Sequence, residues 1–190
     1  KFGESTAILA GNSLLTIAFE ILSSRDLNIK DLIKVKLINL LSDCSGHTGI
    51  AGGQYLDLDY EHKKVPLTKI IDMETKKTGK LFSFCCLAPV LIAKKKRYFK
   101  KFDRIGSNIG LLFQIADDLI DYKGTSKKEG KKTRKDKSKG KATLISLLGY
   151  ENTVKYASNI KKKIFKELKV FGNKADELKL TIDYIFKRSI

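Results

Sequence analysis

An all-α protein is what this sequence predicts, on three observations. Only two prolines, Pro66 and Pro89, interrupt 190 residues. Almost no segment alternates apolar and polar residues with period two, and long stretches repeat their apolar residues at helical spacing. At this length the chain fits a single all-α domain over residues 1–190, or one large piece of a domain, with enough chain for a core.

The elements follow in order. Residues 4–23 are apolar nearly all round, which suits a helix inside a bundle. Residues 31–45 place apolar side chains at 32, 33, 35, 37, 38, 40 and 41, a second helix. A third covers about 49–60 and closes at the charged Glu61-His-Lys-Lys before Pro66. A fourth, 67–88, grows more apolar in its second half, and Lys94-Lys-Lys forms a solvated break. The fifth helix, 98–122, is long. Two amphipathic helices at about 150–171 and 174–188 finish the chain, with Gly172-Asn173 at their join. Residues 123–141 are the exception: ten of nineteen are basic, three are glycine and none is apolar. Such a segment is expected to be an exposed basic loop.

Apolar residues at 42% and charged residues at 31% are ordinary for a globular protein, whereas a formal charge of +17 is not. It implies attraction to polyanions or to a phosphorylated small molecule. Only five of the 38 basic residues are arginine, and arginine dominates specific base readout, which argues against a nucleic-acid partner. Three cysteines, Cys44, Cys85 and Cys86, have neither disulfide-framework nor zinc spacing, so a reducing cytosol is expected, with Cys85 and Cys86 as buried small hydrophobes. No apolar run reaches the roughly 18–20 residues of a membrane span. The first residues lack an initiator methionine and read as the entry to a helix already in progress, so the chain looks N-terminally truncated.

The chemistry centres on Asp117, Asp118 and Asp121, set in the apolar run 110–122. Helical spacing puts Asp117 and Asp121 on one face, with Asp118 about 100° round and Gln114 one turn before. Carboxylates this close repel unless a cation or proton relieves them, and a hard divalent cation, magnesium with a phosphate, is the economical answer. Gln54 and Asp57 lie one turn apart after Gly52-Gly53. Lys76-Lys77-Thr78-Gly79 sets an ammonium beside a hydroxyl, with a glycine that admits a neighbouring helix or ligand. Lys131 and Lys141 follow glycines in the basic segment, where lysine serves as a point charge for phosphate.

Together these residues resemble the trans-isoprenyl diphosphate synthases, in particular their bacterial farnesyl diphosphate synthase (geranyltranstransferase) branch. Phe113-Gln-Ile-Ala-Asp-Asp-Leu-Ile-Asp121 is similar to that family's second aspartate-rich motif. Residues 1–15 are similar to the helix after its first. Gly53-Gln-Tyr-Leu-Asp-Leu58, Lys77-Thr-Gly79 and Gly140-Lys-Ala-Thr143 fall in the family's order. The resemblance implies an all-α fold around a central cavity and magnesium-dependent head-to-tail prenyl transfer between an allylic diphosphate and isopentenyl diphosphate. It also implies a cytoplasmic homodimer.

By the same likeness Asp117, Asp118 and Asp121 would hold Mg2+, while Gln114, Lys77 and Thr78 would position the allylic diphosphate. Lys131 would bind diphosphate on loop closure, aided by Lys141, and Gln54 and Asp57 would line the diphosphate side. Asn12 departs from the aspartate frequent at its place, and the family's first aspartate-rich motif would stand upstream of Lys1. Rival readings are another prenyl chain length, a terpene cyclase or squalene-type synthase on the same fold, and a non-catalytic partner subunit or polyanion-binding helical protein.

Overall fold

The computed structural model describes residues 1–128 and 143–188, all helical or connecting. The described chain contains α1 (Glu4–Ser23), α2 (Asp31–Ser45), α3 (Ile50–Asp59), α4 (Leu67–Glu74), a π-helical turn (Thr75–Gly79) and α5 (Lys80–Ile92). A 3-10 turn (Lys96–Tyr98) then leads into α6 (Phe99–Lys128). After the undescribed stretch come α7 (Leu144–Leu148), α8 (Tyr150–Leu168), a second 3-10 stretch (Lys169–Ala175) and α9 (Asp176–Lys187).

α6 is the central column. Ile105, Ile109, Leu112, Ile115, Ala116 and Leu119 recur at three- and four-residue spacing and are buried. They join one core with Ile70 and Met73 of α4, Ile160 and Ile164 of α8, and Ile182 and Ile185 of α9. α5 packs along α6 through a small-residue seam. A Cβ on Gly106 would lie 2.5 Å from the Ser83 Cα, and one on Gly110 would lie 2.5 Å from the Gly79 Cα. Helix axes that close leave no room for even a methyl group. α2 packs on the outer side of α5 and buries Leu37, Leu41 and Cys44.

Several expectations are corrected. The fourth helix does not stop at 88: α4, the π turn and α5 run on through Pro89 to Ile92. α6 continues to Lys128, so the first six residues expected in the basic loop are helical; the rest of that loop, residues 129–141, lies outside the described residues. Cys85 is exposed because it falls on the side of α5 opposite Ser83 and Leu87, whereas Cys86 is partly covered and packs against the core. Burial pushes the Cys86 thiol up to about 11, which keeps it protonated and unreactive.

The largest correction concerns α1. Expected inside a bundle, it has no buried residue, and Ile8, Leu9 and Leu14 are about two-thirds exposed. By length and composition alone this helix could also cross a membrane, contrary to the expectation that no stretch is long enough. The glycine, serines and threonines that break its apolar run cost little hydropathy. The Thr16 hydroxyl is satisfied within the helix by the Asn12 carbonyl at 2.9 Å.

Candidate functional site

Three elements and the tail after α9 converge on the aspartate turn of α6. The π turn contributes most. It holds Lys77 and Thr78 on the side of the helix that faces α3 and α6, while its neighbour Lys76 turns outward to Asp72 at 2.8 Å. π turns add a residue to the helical repeat and are frequent at functional sites. α3 approaches this turn through Gly53, where a Cβ would come within 2.2 Å of the Lys77 backbone nitrogen. One turn further along α3, Asp57 accepts an ion pair from Lys77 Nζ at 2.5 Å, both side chains largely shielded from solvent.

From Thr78 a hydrogen-bonded chain crosses to the aspartates. The Thr78 hydroxyl donates to Gln114 Oε1 at 3.0 Å, and Gln114 Nε2 donates to Asp118 Oδ1 at 3.1 Å. The amide of Gln114 thus links the hydroxyl of one helix to the carboxylate of another. It fixes the orientation of both ends, since an amide offers its acceptor and its donor on opposite sides.

Asp117 is engaged differently. Arg188, just past α9, donates to Asp117 Oδ1 at 2.5 Å and lies over the Phe113 ring at 4.4 Å. Phe113 in turn tilts against Phe82, with ring centroids 5.3 Å apart, and forms an apolar wall beside the carboxylates. Burial pushes the Asp117 carboxyl above the ordinary aspartate range, and the nearby Asp121 charge adds to the rise. Arg188 pulls the other way through its charge and its hydrogen bond. Asp121 itself is exposed at the mouth of the site.

The ion pair Lys77–Asp57 and the chain Thr78–Gln114–Asp118 therefore meet at adjacent residues of the π turn, with Asp117 and Asp121 beside Asp118 on α6. Gln54 is exposed on α3 and makes no hydrogen bond among the described residues. Lys131 and Lys141 lie outside the described residues. Sequence reasoning missed Arg188, 71 positions from its partner. Its only local signal is a cation just after the amphipathic period of the last helix ends.

Among the described residues no three His, Cys, Asp or Glu side chains close into one metal cage. Magnesium does not require one: it keeps several waters and takes one or two carboxylates plus substrate phosphates. Here Asp117 already holds a cationic group, and the donors are all hard oxygens, so the residues suit magnesium.

The profile of the Polyprenyl synthetase family matches residues 1–182. This chain belongs to that family. Farnesyl diphosphate synthases of Micrococcus luteus and Escherichia coli are each 37% identical to it, over 100% of this chain and 65% of their own length. An FPP/GFPP synthase of Zymomonas mobilis superposes with a TM-score of 0.82 at 36% identity, covering 97% of this chain and 62% of that one. A Helicobacter pylori geranyltransferase, solved with magnesium and isoprenyl diphosphate, superposes at 0.80 with 29% identity, covering 98% of this chain and 61% of that one. The chain thus spans about two-thirds of its relatives' length. Its family membership and all-α fold agree with the resemblance drawn from the motifs.

Proposed function

We propose that this chain serves magnesium-dependent head-to-tail prenyl transfer, condensing dimethylallyl or geranyl diphosphate with isopentenyl diphosphate to give farnesyl diphosphate and diphosphate. The supporting observation is the Thr78–Gln114–Asp118 relay, which ties the lysine–threonine turn to the aspartate turn so that both present polar groups to one space.

Prenyl transfer begins with loss of diphosphate from the allylic substrate, so negative charge grows on the leaving group while a carbocation forms behind it. Asp117, with Asp118 and Asp121 directly or through water, would hold magnesium, which would supply positive charge to the phosphate oxygens. Lys77 adds an ammonium, fixed before the substrate arrives by Asp57, while the Thr78 hydroxyl, whose single proton Gln114 accepts, donates to the diphosphate only by giving up that bond. Such preorganised donors strengthen as the diphosphate departs, which favours the transition state over the bound substrate. Phe113 and Phe82 cover the site with apolar surface that keeps water from the cation. The isopentenyl double bond then attacks the allylic carbon, and the new carbocation loses a proton to leave the lengthened chain.

The farnesyl product follows the names of the relatives, and the homodimer is part of the same proposal. The bare apolar face of α1 supports a second copy packed there. The experiment is incubation of the full-length protein with magnesium, geranyl diphosphate and isopentenyl diphosphate, followed by chromatographic sizing of the product. A farnesyl-length product that disappears with Asp117→Ala is the expected result. Hydrolysis without condensation, or condensation indifferent to Asp117→Ala, would contradict the proposal.

A further inference from the structure

At the end of the molecule remote from the aspartates, the start of α2 and the last turn of α5 enclose a cavity of about 300 Å³. Its floor is apolar, built from Ile33, Val90 and Leu91. Lys30, Lys36, Lys94 and Lys96 line it as well, almost wholly through their apolar stems, so their ammonium groups stand outside the cavity at its margin. Among the described residues none of the four has a carboxylate within ion-pair distance, whereas Lys34, alongside, is held by the Ser24 carbonyl at 2.8 Å and by Asp31 at 3.6 Å. Lys94 also adopts φ 54°, a left-handed conformation that costs a residue with a side chain. That conformation ends α5 and keeps Lys94 and Lys96 beside the cavity.

Four uncompensated cations over an apolar floor match one chemistry. A bare phosphate would leave the floor unused, and an uncharged lipid would leave the lysines facing apolar matter. We propose that this cavity is a second binding site, for an amphiphilic anion: a hydrocarbon tail against Ile33 and Leu91, and a phosphate-type head among the lysines. It lies about 20 Å along the helix axis from Thr78, so it is separate from the aspartate site and does not depend on the reaction assigned there. The amphiphile comes either free from solution or from the surface of a phospholipid bilayer.

The probe is dodecyl phosphate, kept below its micelle-forming concentration and titrated by calorimetry into the Asp117→Ala chain, which silences the aspartate site. One saturable site is expected, weakened about tenfold or more by Lys36→Glu with Lys94→Glu, and inorganic phosphate should bind far more weakly because it has no tail. Circular dichroism checks that the variant folds; if it does not, Lys30→Gln with Lys96→Gln replaces it. Co-sedimentation with phosphatidylglycerol vesicles separates the sources. Capture lost in the lysine variant assigns the bilayer, and binding of dodecyl phosphate without capture assigns a free amphiphile. Binding that survives both lysine variants, binding no tighter than inorganic phosphate, or none to either probe overturns the proposal.

Discussion

Arg188 occupies the Asp117 carboxylate that we propose holds magnesium, so on that proposal a side chain and a metal compete for one oxygen. Arg188→Ala should therefore raise the affinity for Mg2+ measured without substrate, by up to about tenfold, the scale of a partly shielded ion pair. It should cost about 1 kcal/mol or less in stability, because this pair is substantially exposed. Titration with Mn2+ followed by electron paramagnetic resonance reads the first effect, and urea unfolding reads the second. The same carboxyl sets a pH dependence. Its folded-state pKa is raised above 3.8, chiefly by burial. The stability it contributes is therefore present below the ordinary aspartate value and is lost as pH rises through the folded value. Metal affinity runs the opposite way, since binding needs the carboxylate, and falls as pH drops through that same value. Thermal melts and metal titrations across the acid range should show both slopes in the wild type. Both should flatten in Asp117→Asn.

Helices α1 and α2 begin and end where apolar periodicity and flanking polar residues place them, because that signal is local. The π turn at Thr75–Gly79 was not legible: one extra residue in a turn shifts the periodicity by too little to see within a long apolar helix. Yet it is the element that sends Lys77 to Asp57 and Thr78 to Gln114. α7 was missed for another reason. It has five residues, and its capping box pairs Thr143 with Ser146 rather than with the glutamate or glutamine that marks the pattern in sequence. The aspartates and Lys77-Thr78-Gly79 were readable because unusual residue types stand in apolar surroundings, whereas the pairing of Asp117 with Arg188 is tertiary and has no local trace. The close approach of these helices carries its own prediction. Gly110→Ala would drive a methyl group into the Gly79 backbone at 2.5 Å, forcing α5 and the π turn away from α6. A loss of about 1–3 kcal/mol is expected in chemical denaturation, with diphosphate binding weakened beyond the stability loss because Thr78 leaves Gln114. Ser107→Ala, on the same helix and with a side chain that makes no hydrogen bond among the described residues, serves as the control.

On the scale of the molecule, the core lies around α6 while α1 stands apolar and uncovered. The family match runs through this helix, and on the proposed homodimer its exposed leucines and isoleucines are the interface surface. Light scattering after size exclusion should give twice the mass of one chain. Leu14→Glu, at a side chain 68% exposed, should shift the protein to one chain's mass without unfolding it; an unchanged dimer would place the interface elsewhere. The excess charge of +17 poses the sharper alternative, that phosphates are drawn here by lysine alone. Calorimetric titration of geranyl diphosphate in about 0.15 M salt, a concentration that screens exposed charges beyond about 8 Å, decides between them. Saturable binding that requires Mg2+ and is abolished by Asp117→Ala is the predicted result. Binding that is indifferent to Mg2+ and to Asp117→Ala but vanishes with added salt would contradict the account.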